Sequence, residues 1–318
     1  MHSATAFRLS SPPPFDHRQI VRVGLLLRDA DYSFVTVTPE SHRRVLARNI
    51  APARDLRDVF GWSKRFSPSI LPTALATALL DSGAVQRGPD GLYRSTVRYS
   101  TLGDGLYVHS AYPTTSASAV FFGPDTYRYC GFLRRACSTA RHVVDIGCGS
   151  GAGGLALADR VDEIILADIN PTALAFARVN AELAGVQARV RLVQSDVLRG
   201  VDGRFDLAIC NPPYLVDPQH RVYRDGGGAY GTELALRIAD EALDRLLPKG
   251  RLLMYTGAPV VAGVDVFAAA LGPRLCDRAA STSYAELDVD VFGEELDTPT
   301  YLEVDRIAAV AVDVTRRA

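Results

Sequence analysis

The sequence predicts an α/β fold in which a mostly parallel sheet, from about residue 121 onward, follows a smaller N-terminal α+β accessory domain. Three observations predict it. Short apolar runs alternate with helical segments from about Tyr127 on, the rhythm of strand–helix–strand crossovers. The first of these runs, residues 143–146, passes into a turn carrying Gly147, Gly149 and Gly151, where a strand gives way to a helix. Finally, Asp145, Asp168 and Asp196 stand at the carboxyl ends of three successive expected strands, the edge where open α/β sheets bind ligands.

The triple proline at 12–14 marks residues 1–15 as a loosely attached leader. Helices are expected over 21–27, over 41–49 with Ser41 as N-cap after Pro39, and over 69–80, ending near Asp81-Ser82-Gly83. The turn Gly88-Pro89-Asp90-Gly91 introduces a strand over 92–99, and Gly103-Asp104-Gly105 introduces another over 106–109. Helices followed by a hairpin suggest a winged-helix-like substrate domain over 1–120, with the catalytic domain over 121–318. In the second part, strands are expected over 163–167, 189–193, 206–210 and 251–255. Helices are expected over 171–184, where Pro171 suits a first turn, and over 232–247. Apolar runs within 283–314 add antiparallel strands at one edge.

The 318 residues carry a net charge of -1 and no lysine–arginine stripe, so composition gives no support to a nucleic-acid partner, although it leaves one possible. Five cysteines without a C-x-x-C pair and six scattered histidines argue against a disulfide framework and a metal site. No signal-peptide core and no apolar run of about 18 residues is visible, which reads as a cytoplasmic protein without a membrane span.

The glycine turn alone is ambiguous, because Gly147-x-Gly149-x-x-Ala152 also fits a dinucleotide fingerprint and hence an oxidoreductase. The acids favour a different nucleoside ligand. Asp145, two residues before the first glycine, suits an ammonium or a backbone donor. Asp168 lies where an acid accepts from ribose hydroxyls. Asp196 suits an exocyclic adenine amino group.

Asn211-Pro212-Pro213-Tyr214 ends the fourth strand at the same edge, and its chemistry follows from its atoms. A planar amide or arylamine nitrogen is a poor nucleophile because its lone pair is delocalised. The Asn211 side-chain oxygen and the Pro212 carbonyl, both accepting from that nitrogen's N–H groups, would pull it toward tetrahedral geometry. Two prolines stiffen the loop, and a misplacement of about 1 Å can cost roughly 100-fold in rate. Tyr214 would stack on the planar acceptor.

Together, residues 143–154, Ala167-Asp168-Ile169-Asn170-Pro171, Ser195-Asp196 and Asn211-Pro212-Pro213-Tyr214 resemble a class I S-adenosylmethionine-dependent methyltransferase. The resemblance is to the branch holding the protein-glutamine (release-factor) methyltransferases and the ribosomal-RNA N-methyltransferases. It covers about residues 120–260. It implies a Rossmann-like, mostly parallel, seven-stranded sheet and S-adenosyl-L-methionine as cofactor. Asp145 and the backbone of Gly147, Gly149 and Gly151 would hold the amino-acid part, Asp168 and Ile169 the ribose side, and Asp196 with Val197 the adenine. Gly123-Pro124-Asp125-Thr126 lies where that branch has a Pro-Arg-x-x-Thr-Glu loop, which makes Thr126 a cofactor contact, yet Tyr127 stands where the loop has glutamate. Asp225-Gly226-Gly227 lies where the branch has a Gly-Gly segment, and reads as a flap or a plain linker.

Transfer to a planar nitrogen is therefore expected, with Asn211, Pro212 and Tyr214 as the transfer site. The acidic stretch Glu286, Asp288, Asp290, Glu294, Glu295 and Asp297 suits a cationic acceptor if it faces the pocket. That ranks a small metabolite or natural-product precursor first, a protein glutamine second and an RNA base third.

Overall fold

In the computed structural model, residues 14–318 are described; the expected leader lies almost wholly outside them. The chain divides into two compact units. Of the described residues, the first comprises 14–127 with 149–152 and 171–188, and the second comprises 128–148, 153–170 and 189–318. The helix after the second parallel strand therefore groups with the N-terminal residues.

The first unit opens with α1 (His17–Asp29), whose N-cap Asp16 accepts from the Gln19 N–H at 2.9 Å. Its buried Ile20, Val23, Gly24 and Leu27 follow the 3.6-residue period. In α2 (Pro39–Arg48) the cap is Thr38, not Ser41: Pro39 occupies the first turn, and the Thr38 side chain accepts from the Ser41 N–H. After α3 (Leu56–Phe60), the helix expected over 69–80 is split by Pro72 into a 3-10 turn (Pro68–Ile70) and α4 (Thr73–Asp81).

The strand expected over 92–99 is also split. Instead, β1 (Val85–Arg87) pairs with β2 (Tyr93–Ser95), and β3 (Val97–Leu102) pairs with β4 (Gly105–Ser110). The break falls where the Ser95 hydroxyl bonds the Val97 carbonyl at 2.7 Å and takes a side-chain turn in place of the ladder. The result is two separate two-stranded ladders.

From α5 (Pro124–Ala136), a helix that apolar periodicity did not reveal, the chain enters β5 (Ala140–Ile146), the short α6 (Ala152–Leu155), β6 (Val161–Asp168) and α7 (Pro171–Leu183). It continues through β7 (Val190–Gln194), β8 (Phe205–Cys210), α8 (Glu233–Arg245) and β9 (Leu246–Val261). It ends with β10 (Val264–Asp265), α9 (Val266–Leu275), β11 (Ala279–Asp288) and β12 (Val304–Arg316). The sheet order is β11-β12-β9-β8-β5-β6-β7, the expected seven strands, with the two-residue β10 added beside β9. Strands β5 to β9 pair in parallel where they neighbour one another, and β11 and β12 are antiparallel, as the tail predicts.

The core of the second unit is the sheet face covered by Ala235, Ile238, Ala239, Ala242 and Leu243 of α8 and by Phe267, Leu271 and Leu275 of α9. Burial of each larger side chain there contributes roughly 1.5–3 kcal/mol. No helix among the described residues is long and apolar enough to cross a membrane.

One side chain ties three backbone groups of the first unit together. Asn180 of α7, almost fully buried, accepts from the Val108 N–H at 2.7 Å and donates to the Val108 and Ser150 carbonyls, both at 2.9 Å. It replaces a missing strand partner for β4 and holds the glycine turn at Ser150. Asn180→Leu should therefore cost at least about 3 kcal/mol, read from the urea midpoint, because three buried backbone groups lose their partners. A loss under about 1 kcal/mol would show that the amide is dispensable.

Candidate functional site

The strand order reverses at β5: β6 and β7 lie on one side of it and β8 on the other. Such a switch point leaves a crevice at the strands' carboxyl ends. The register sets what stands there. Ile146 pairs with Ala167 of β6 and with Cys210 of β8, so Gly147, Asp168 and Asn211 each begin the chain just past the same level. Neighbouring strands lie about 4.8 Å apart, which puts these three positions within one crevice width. Gln194 pairs with Asp168, so Ser195 and Asp196 leave β7 at the next level.

Asp145 is 1% exposed and faces inward. It accepts from the Gly154 N–H at 2.8 Å and lies 3.4 Å from the Tyr129 hydroxyl, and it makes no ion pair among the described residues. Burial pushes its carboxyl up to about 7, opposed by the Gly154 and Tyr129 hydrogen bonds and aided by the nearby Asp168 charge. A buried acid in that state is half ionised near neutral pH and stands ready for a cation. Tyr129, itself buried in α5, carried no signal in the sequence.

Gly147, Gly149 and Gly151 all have positive φ (68°, 54° and 80°), which is why glycine occupies each. A Cβ at Gly147 would meet nothing within 4 Å, so no neighbouring protein atom fills that side of the turn. The Gly147 and Cys148 N–H groups are spent on the Ala167 carbonyl, at 2.9 and 3.0 Å. Asp168 accepts from the Asn170 N–H at 2.8 Å. Beside it Ile169 is 49% exposed, an uncovered aliphatic chain at a strand end that suits a flat ring.

Two of the expected contacts have partners within the protein. The Asp196 carboxylate pairs with Arg237, and with Arg199 at 2.9 Å, so two guanidinium groups already meet the acid assigned to adenine. The Thr126 hydroxyl lies at the start of α5 and accepts from the Gly123 N–H at 3.2 Å, a helix-start role. Val197 is buried with φ 52°, a costly conformation for a β-branched residue and a sign of a constrained corner.

The loop after β8 is held on several sides. Asn211 is partly exposed, whereas Pro212 and Tyr214 are buried. The Tyr214 ring crosses Phe292 edge-on, with centroids 5.8 Å apart, and lies so close to Gly257 that a Cβ there would sit 2.0 Å from its Cδ2. The ring expected to stack on an acceptor is here packed within the protein, where it fixes the loop carrying Asn211. Gly257, within β9, became recognisable only through this contact.

The glycine segment 226–228 is likewise tied down. The Gly226 N–H donates to the Leu215 carbonyl at 2.7 Å, and the Asp225 carboxylate meets His220 Nδ1 at 2.6 Å. Three of the six acids in the acidic stretch are paired: Glu286 with Arg306, Asp288 with Arg128 and Glu295 with Arg224. No cluster of metal-ligating side chains occurs among the described residues.

The raised Asp145 carboxyl has a consequence for stability. Below about pH 4 the acid is protonated in both the folded and the unfolded chain. Between about 4 and 7 the folded state keeps a proton that the unfolded chain has lost, so stability falls as pH rises. Above about 7 the penalty is constant. In Asp145→Asn that fall should be absent, so the variant gains on the wild type across the window in pH-dependent denaturant melts. Parallel curves would refute the assignment.

Residues 131–259 match the family described as Methyltransferase small domain. The chain is 36% identical over 124 residues to a release factor glutamine methyltransferase of Deinococcus radiodurans, covering 35% of this chain and 44% of that protein. It is 30% identical over 128 residues to the ribosomal protein uL3 glutamine methyltransferase of Neisseria meningitidis serogroup A, covering 36% and 42%. Among solved structures it is similar to the M. jannaschii tRNA m1G37 methyltransferase, with TM-score 0.48, 18% identity, and 70% of this chain and 57% of that one covered. The chain thus spans about half the length of the curated relatives it matches. The matched stretch contains β5, the glycine turn, the three strand-end acids and the Asn-Pro-Pro-Tyr loop, and over residues 131–259 this chain is similar to a methyltransferase small domain.

Proposed function

We propose that this chain is an S-adenosylmethionine-dependent methyltransferase that acts on a planar nitrogen, the carboxamide of a protein glutamine. The observation that carries the reading is the register at the switch point, where Ile146 faces Cys210 and so sets the glycine turn beside Asn211.

The residues suit the cofactor. Asp145 is a buried acid without a protein cation, and an amino-acid ammonium supplies one. Asp168 and the exposed Ile169 offer a hydroxyl acceptor and an apolar surface to a nucleoside. When bound, S-adenosylmethionine supplies an electrophilic methyl group on a sulfonium. Asn211 Oδ1 and the Pro212 carbonyl accept from the acceptor's two N–H bonds, which turns the nitrogen lone pair out of conjugation and aims it. Tyr214, wedged against Gly257 and Phe292, keeps that pair of acceptors in place.

On the acceptor, two findings move the preference away from the small metabolite that the sequence ranks first. Over the matched stretch the curated relatives are glutamine methyltransferases of release factors and of a ribosomal protein. Half of the acidic stretch, moreover, is engaged by Arg128, Arg224 and Arg306, which weakens the reason to expect a cationic acceptor. The net charge of -1 favours protein over RNA.

Incubation of the purified chain with methyl-labelled S-adenosylmethionine and either a glutamine-bearing release-factor fragment, its Gln→Asn variant or bulk RNA tests the reading. Label should enter the glutamine fragment alone; label only in RNA, or only in small molecules of a lysate, would sink the acceptor assignment. Asn211→Ala should lower turnover by about 100- to 1000-fold, as loss of a positioned hydrogen-bonding group does. Its affinity for S-adenosylhomocysteine should stay within a few-fold by calorimetry, and unchanged turnover would remove Asn211 from the transfer site. Affinity for the cofactor should rise as pH increases through about 7, because ionised Asp145 is the form that holds an ammonium, and Asp145→Asn should lose that slope.

A further inference from the structure

The buried acid beside the glycine turn has both of its oxygens engaged, each from a different element. Gly154 of α6 donates its N–H to Asp145 Oδ2 at 2.8 Å. The Tyr129 hydroxyl of α5 donates to Asp145 Oδ1 at 3.4 Å. Tyr129 reaches the acid because α5 turns one stripe of side chains inward: Tyr129, Cys130 and Leu133 are each no more than 4% exposed. The phenol is the polar tip of that stripe.

The approach depends on Gly153. A Cβ there would sit 2.5 Å from Tyr129 Cε1, 2.8 Å from its hydroxyl and 3.0 Å from Asp145 Oδ2, so a side chain at this position would push the phenol off the acid. The Tyr255 ring of β9, with its centroid 6.4 Å from that of Tyr129 and tilted by 52°, gives the phenol a second support.

A phenylalanine would pack as well; what the hydroxyl adds is a donor. A carboxylate offers about four acceptor positions. Gly154 and Tyr129 fill two, which fixes the plane of the group and leaves the others to a cation. Both donors favour the charged form and oppose the burial that disfavours it. The other titratable groups facing Asp145 are Cys130 of α5, Cys148 of the glycine turn, Cys210 of β8 and Asp168 of β6. Burial pushes the three thiols up, so they stay neutral while Asp145 titrates, and Asp168 adds a like charge. Burial, with the Asp145 charge, also holds the Tyr129 phenol well above its ordinary range, so it remains a donor.

We propose that Tyr129 is a positioning residue for the cofactor's ammonium group: its hydroxyl holds Asp145 Oδ1 in place and stabilises the carboxylate over the neutral acid. The proposal takes its ligand from the methyl-transfer reading, and Tyr129 acts on that ligand only through Asp145.

Two measurements on the full chain, wild type against Tyr129→Phe, test it. In denaturant melts without cofactor, the wild type loses stability with rising pH until Asp145 is ionised in the folded state, at about 7. Removing one donor to the charged group should move that end point up by about one pH unit in Tyr129→Phe. In calorimetric titration with S-adenosylhomocysteine, the variant should bind roughly 5-fold more weakly at about pH 7 and within about 2-fold of the wild type at about pH 9, where both carry a charged Asp145. An unmoved end point in the melts would overturn the proposal. So would an affinity loss of the same size at every pH, which is the mark of packing alone. Should the variant fail to fold, the wild type decides: the resonance of the Tyr129 phenol carbon should titrate at the same end point, and a flat trace would overturn the assignment. If neither protein bound S-adenosylhomocysteine at any pH, the methyltransferase reading would fall, while a moved end point in the melts would still uphold the action of Tyr129 on Asp145.

Discussion

The parallel pairing of β5 with β8, and of β5 with β6, is the constraint from which the candidate site follows. Because Ile146 meets both Ala167 and Cys210, three chain segments leave the sheet side by side and in one direction. One carries a glycine turn, one an acid and one the Asn-Pro-Pro-Tyr loop. A slip of one residue in either ladder would turn every side chain on that strand to the other face, and Asp145 with it. The buried apolar runs of these strands hold the register, so core packing and site geometry are the same requirement.

Each unit contains a buried charge of opposite sign that the protein leaves largely uncompensated. In the second unit it is the Asp145 carboxyl, raised by burial; in the first it is the Arg98 guanidinium, lowered by burial. Elsewhere the protein pairs its charges closely. Asp196 has two arginines, Asp240 is shared by Arg274 and Arg278, and buried Asp58 is matched by Lys64 at 3.1 Å. Against that background the two are exceptions, because desolvation of a charge without a partner costs stability.

Rigidity near the transfer loop comes from close approach. Gly257 leaves room for the Tyr214 ring, and Gly226 and Gly231 bring their backbone against the carbonyls of Pro213 and Tyr214. A segment that reads in isolation as a flexible glycine linker is therefore a clamp, since glycine permits either outcome and only its neighbours choose.

Much of this was legible in the sequence. Alternating apolar and helical periods specify β5 to β9 with their helices, because a strand buried on both faces reads as a short apolar run and Pro171 marks a first turn. The glycine turn, the strand-end acids and Asn211 are likewise local signals, each tied to a backbone conformation or a chemical group. Other features are products of tertiary structure. Tyr129 meets Asp145, Gly257 admits Tyr214, α7 joins the N-terminal residues and the acidic stretch finds its arginines across separations of up to 160 residues. The protonation state of Asp145 and the unpaired charge of Arg98 belong to that second group, because burial is a property of the assembled core and no single stretch of chain encodes it.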